Sequence, residues 1–132
     1  MAIVCFCTTL RRAARRVAES FDAALAPIGI NTAQFSLLRS ISRAAPVKLT
    51  ELSRVTELDR STIGRNVRVL ERMNLVALGR GKDQREAMVT LTEAGRAAIT
   101  EGIPLWEAAQ AAFEARLGTE RAQKLRAELD AL

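Results

Sequence analysis

Histidine and tyrosine are absent from this 132-residue chain. That removes the commonest general base, the commonest metal ligand and the phenolic acid together. Chemistry would have to rest on Asp, Glu, Lys, Ser or Cys, and no convergent base and nucleophile can be assembled from what remains. The expectation is a protein that is not an enzyme and needs no metal or other cofactor. Only two cysteines occur, Cys5 and Cys7. Two positions apart, they are poorly placed for a structural disulfide with each other, and a zinc site needs more ligands than the pair supplies. Aromatic residues make up 4% of the chain, and alanine is abundant, which favours helix over strand. There is no run of 18 or more apolar residues, so no membrane span is expected. The N-terminus places its apolar residues before its charges, the reverse of a secretory signal. The expected location is the cytoplasm.

Hydrophobic residues make up 48% of the sequence, enough for a real core, and the length suits one domain. From Thr8 to about Ala26, apolar residues at Leu10, Ala13, Ala14, Val17, Phe21 and Leu25 fall at helical spacing, and Pro27 with Gly29 ends the helix. Asn31 or Thr32 caps a second helix with Phe35, Leu38 and Ile41 inward, broken at Ala45-Pro46. Leu49, Leu52 and Val55 repeat every three residues, as two turns of helix would. A tight turn over residues 56–59 follows, and Asp59 is a good cap for the next helix. There Ile63, Val67, Leu70 and Met73 make an apolar stripe. After Asn74 the period changes: Val76 and Leu78, then Met88, Val89 and Leu91, flank a charged, glycine-containing segment. This pattern reads as a β-hairpin with a polar tip. A long helix from Thr92 to about Leu117 contains Pro104, which should kink it. Gly118 separates it from a short terminal helix bearing Leu125, Leu129 and Leu132.

A helix pair with a tight turn, followed at once by a hairpin, is a winged helix-turn-helix. The expected fold class is mainly α with a small β-hairpin wing, flanked by N- and C-terminal dimerisation helices. The chain reads as one domain over 1–132. Residues 31–91 form the winged helix-turn-helix, and 1–30 with 92–132 supply the helices for a homodimer. The formal net charge is +5 and the pI about 10.2. Residues 59–85 hold seven basic side chains against three acids, while 92–132 hold five basic against seven acidic. Positive charge is thus concentrated on Arg60, Arg65, Arg68 and Arg72 of the fourth helix and on Arg80, Lys82 and Arg85 of the hairpin. That is the footprint of a face that meets phosphates. Charge runs are also common as plain solvated surface; the helix-turn-helix context favours double-stranded DNA. Gly64, in the middle of the basic helix, lets the helix backbone approach a phosphate or base closely.

The stretch "LTELSRVTELDRSTIGRNVRVLERMNLVALGRGKDQREAMVTLTEAG", residues 49–95, resembles the MarR family of bacterial transcription regulators. The matching pieces are the "LTEL" helix, "DRST" opening the fourth helix, "LERMNLV", Asp83 and Arg85 as the wing's D-x-R, and "LTEAG" after it. The resemblance implies a homodimer binding a pseudopalindromic operator, acting as a repressor. It places Arg60, Ser61, Thr62, Arg65, Asn66 and Arg68 at the major groove. Arg80, Lys82 and Arg85 belong to the wing, with Asp83 orienting it. The sequence departs from the family pattern at Gly64, where a threonine is usual, and at Asn74, where glycine is usual. Asparagine still tolerates the left-handed conformation a helix end needs.

Many members of that family release DNA when a small aromatic or phenolic acid binds. Arg11, Arg12, Arg15 and Arg16 would offer such an anion a cationic wall; the expectation is instead that they are solvated, in two separate helical rows. Cys5 and Cys7 lie near the start of the first helix, as does the reactive cysteine of the family's peroxide-sensing branch. That branch uses tyrosine to stabilise its thiolate, and none exists here, so the expectation is a pair of buried, inert thiols in a dimer interface. The alternatives are a cysteine-based redox-responsive regulator and a winged-helix module that binds protein.

Overall fold

The computed structural model describes residues 4–80 and 87–132. Helix α1 (Phe6–Leu25) is followed by a 3-10 turn (Ala26–Ile28), α2 (Thr32–Ala44), β1 (Val47–Lys48), α3 (Leu49–Thr56) and α4 (Arg60–Arg72). Then come β2 (Val76–Arg80), β3 (Ala87–Leu91), α5 (Glu93–Leu117) and α6 (Thr119–Asp130). Polar side chains cap the starts of α2, α4 and α5. Asn31 and Gln34 form a reciprocal capping box on α2, at 2.8 and 3.0 Å, satisfying two otherwise orphaned N–H groups. The Thr32 N–H donates to Asp22 Oδ1 at 2.7 Å, which ties the entry of α2 to the end of α1. Gly29, at φ 75°, makes the left-handed turn between them.

The hairpin pairs Val76 with Leu91 and Arg80 with Ala87 in antiparallel register. A third strand, β1, adds Val47 opposite Val89, giving the order β1-β3-β2. The sequence reading has no such strand. Two residues between a proline and a helix carry no period, and only Val89, buried on the neighbouring strand, gives Val47 its partner.

One core joins α2, α3, α4, the sheet and the first half of α5. Its fully buried side chains include Phe35, Leu38, Ile41, Leu52, Ile63, Val67, Leu70 and Val89. Two expected inward residues fall outside it. Val55 is 46% exposed, and Met73, 37% exposed, is the C-cap of α4 rather than part of its buried stripe. Asn74 ends that helix at φ 62°, the left-handed conformation expected of it.

Helix α5 starts at an N-cap that joins three elements. The Thr92 hydroxyl accepts from the Gly95 N–H at 3.0 Å and donates to the Asn74 carbonyl at 2.7 Å. The Thr92 N–H donates to the Leu75 carbonyl. The helix runs through Pro104, whose missing N–H leaves the Thr100 carbonyl without its helical donor. Beyond Trp106 α5 leaves the core and packs with α1 and α6. No helix among the described residues is long and apolar enough to cross a membrane.

Candidate nucleic-acid interface

The basic face begins at Asp59, whose carboxylate accepts from the Thr62 N–H at 2.8 Å and closes the start of α4. The Thr62 hydroxyl first, and then its N–H, hold the Asp59 carboxyl below the ordinary aspartate range, with smaller help from Ser61 and the nearby Arg65 charge. From there the helix divides cleanly. Ile63, Val67 and Leu70 are buried, whereas Arg60, Ser61, Arg65, Asn66, Arg68 and Arg72 are exposed and Thr62 is half-buried. The 100° step of a helix produces this split from the sequence alone.

Among the described residues, no acid lies within ion-pair distance of Arg60, Arg65, Arg68 or Arg72. The Arg65 guanidinium reaches only the Thr62 hydroxyl, at 3.5 Å, the outer limit of a hydrogen bond. Neighbouring α3 provides the contrast. Arg54 is held there by Glu51, with Nε 3.0 Å from Oε2, and this pairing raises the arginine and lowers the glutamate. At the other end of the chain, Arg126 reaches Glu114 at 3.4 Å. The partners that would make the α4 arginines a self-neutralised surface, Asp59 and Glu71, do not pair with them.

Gly64 lies half-buried in the middle of this face. A Cβ added there meets no atom within 4 Å, so neither packing nor backbone conformation requires the glycine. Asn66 turns toward the edge of a groove between α2 and α4, beside Ala33 and Leu37. Arg80 ends β2 opposite Ala87, the pair nearest the connecting segment, and is exposed. Lys82, Asp83 and Arg85 lie outside the described residues.

Two other expectations meet the structure differently. Cys5 and Cys7 are both exposed in the single chain: α1 begins beyond the core, and nothing among the described residues covers its first turn, so the burial expected of them is one that only a second copy would supply. Arg11, Arg12, Arg15 and Arg16 are exposed too. The opposite face of α1, with Leu10, Ala13, Val17 and Phe21, lines an open apolar groove of 710 Å³ together with Trp106, Phe113, Leu125 and Leu129. A cationic cluster that the sequence reading missed lies between α2 and α5. The Arg39 guanidinium sits 5.7 Å from the Phe35 ring centroid and 5.0 Å from that of Trp106. Arg39 and Arg43 border a 190 Å³ pocket with Thr32 and Ser36. Phe35, Arg39 and Arg43 recur every fourth residue, a signal legible in principle, but only the fold brings Trp106 to them.

Comparison with known proteins places this geometry. A family model described as the MarR family matches residues 28–86. The chain is 38% identical to the M. tuberculosis transcriptional regulator MosR in its crystal structure with DNA. That similarity covers 96% of this chain and 93% of that one, with a TM-score of 0.84. CouR, a transcriptional repressor bound to a 23-mer DNA duplex, is 25% identical over 96% of this chain and 91% of its own, with a TM-score of 0.87. Among curated proteins, the uncharacterised HTH-type transcriptional regulator YwoH of Bacillus subtilis (strain 168) is 27% identical over 84 residues. This match takes in 64% of the present chain and 61% of the length of YwoH.

Proposed function

Because the chain belongs to the MarR family, whose members are DNA-binding transcription regulators and not enzymes, we propose that it represses transcription by binding a pseudopalindromic duplex operator as a homodimer. The observation that carries this reading is the α4 face: four exposed arginines without acidic partners among the described residues, over a buried apolar stripe of Ile63, Val67 and Leu70. Self-repulsion on that face is relieved when phosphates lie against it. Arg60, Ser61, Thr62, Arg65, Asn66 and Arg68 face the major groove. Arg80, Lys82 and Arg85 act from the wing on phosphates and minor-groove potential, with Asp83 orienting it. The repressor role rests on the likeness to CouR. The dimer rests on the apolar groove formed by α1, α5 and α6, which the single chain leaves open.

The test compares operator and scrambled duplexes at several salt concentrations. Arg65→Ala should cost about 1–3 kcal/mol on the operator and relax preference at one base pair per half-site. Arg85→Ala should weaken both duplexes alike and flatten the salt dependence by about one unit per lobe. If both variants bind every duplex as tightly as the parent, the basic face is only solvated and the reading fails.

A second reading, release by a small aromatic acid, is favoured by the Arg39 pocket rather than by the α1 arginines. The guanidinium there is already stacked on two rings and has no carboxylate partner among the described residues. A benzoate-type anion added to the same titration should lower operator affinity in the parent and not in Arg39→Ala. An equal effect on both would exclude this pocket.

A further inference from the structure

We propose that Gly64 is a specificity-determining residue: the notch it leaves in the basic face of α4 receives the C5-methyl group of one thymine in each operator half-site. The inference rests on the reading above that α4 enters the major groove, and it names the group that meets the middle of the helix there.

The notch is defined by its neighbours. Gly64 is the fifth residue of α4 and is half-buried. An added Cβ would stand in open space, with no atom within 4 Å. The other helical glycines among the described residues, Gly95 and Gly102, would both press a Cβ into packed atoms. Arg60 and Arg68 stand one turn before and one turn after Gly64, each about 6 Å away along the axis and about 40° to one side. Both are exposed, and neither is paired with an acid among the described residues. Helical side chains lean toward the N-terminus, which carries Arg68 back over the notch, yet no atom of it fills the space. The result is a patch of bare main chain between two guanidinium groups.

The chemistry of that floor selects its occupant. Inside a helix the N–H of residue 64 bonds the carbonyl four residues earlier, so the floor presents carbon-bound hydrogen and no free donor. A phosphate needs donors. Arg60 and Arg68 could supply them, but their long side chains reach well past a methyl group, so phosphate binding would leave residue 64 free to be alanine, the better helix former. A base edge read through hydrogen bonds finds no partner on the same floor. An apolar group is different. It gains dispersion contact with the bare main chain, and any Cβ takes its place. Among the major-groove edges of the four bases, the one such group is the thymine methyl. The arginines on the rim meet phosphates or guanines on either side, so the methyl contact specifies one base while the rim holds the register.

The experiment exchanges one methyl group between protein and DNA. Affinity and its salt dependence are measured for the parent and for Gly64→Ala on operator duplexes in which each thymine is replaced in turn, in both half-sites together, by deoxyuridine. That base lacks only the methyl. At one thymine position the parent should lose about fourfold per half-site, the contribution of one buried methyl. Gly64→Ala should lose about tenfold or more on the unmodified operator. It should regain most of that loss when the same thymine, and no other, becomes deoxyuridine. Its salt dependence should match the parent's, because no ionic contact is removed. Undiminished affinity of Gly64→Ala would overturn the proposal, as would a loss that no deoxyuridine relieves or a relief spread evenly over all thymines. A salt slope lowered by about one unit without relief would put a phosphate in the notch instead. A parent that binds operator and scrambled duplex alike, or binds neither, would remove the DNA reading and this proposal with it. Retained operator specificity without relief would sink this proposal alone.

Discussion

Gly64 is the residue whose presence the folded chain does not explain. Glycine in a helix interior costs about 1 kcal/mol relative to alanine. Its φ is not among the positive ones, and the space where a Cβ would stand is empty. An external requirement is left: a methyl group here would hold off whatever lies against the basic face. Gly64→Ala should therefore stabilise the fold by about 0.5–1 kcal/mol in thermal or urea unfolding. It should also weaken operator binding by about tenfold or more. Stabilisation without any loss of affinity would mean that no DNA approaches the middle of α4. The same comparison separates this glycine from Gly102, where an added Cβ would sit 2.6 Å from the Phe35 ring and the requirement is internal.

Helix α5 shows how much of an element can be seen before its neighbours are known. Its start at Thr92 was legible because a capping threonine precedes a run of helix formers, and its end was legible at Gly118. The reason for Gly95 was not. A Cβ there would fall inside the van der Waals shell of the Leu75 carbonyl oxygen, a contact made by a residue twenty positions earlier in the chain. The glycine lets the first turn of α5 sit directly on the backbone that joins α4 to β2. Gly95→Ala should cost more than about 3 kcal/mol, because the obstacle is main chain and cannot rotate away. A destabilisation below about 1 kcal/mol, read by urea unfolding, would show that the junction yields. The remaining misses have the same origin. Strand β1 exists only through Val89, and the Arg39 site only through Trp106. Periodicity and caps are local and could be read; these features depend on contacts between distant segments, which no local pattern encodes.

At the scale of the whole molecule, apolar surface is concentrated at the end away from the basic face. Leu125 and Leu129 on α6 are 37% and 44% exposed, and with Phe113 they line the same groove as Leu10 and Val17 of α1. The chain should sediment as a dimer at micromolar concentration. Leu125→Asp with Leu129→Asp should yield a folded monomer with undiminished helical circular dichroism and little affinity for the operator. A parent that sediments as a monomer would remove the palindromic-operator model. The 25-residue α5 spans this distance as a single rod about 37 Å long, seated on the reader lobe at Gly95 and embedded among α1 and α6 at its far end. Such a rod is a lever. A tilt of about 5° at the far end sweeps the near end by about 3 Å, close to the roughly 3.4 Å rise of one base step. Two reader lobes on opposed levers would then fall out of phase with their half-sites after a repacking too small to disturb either core.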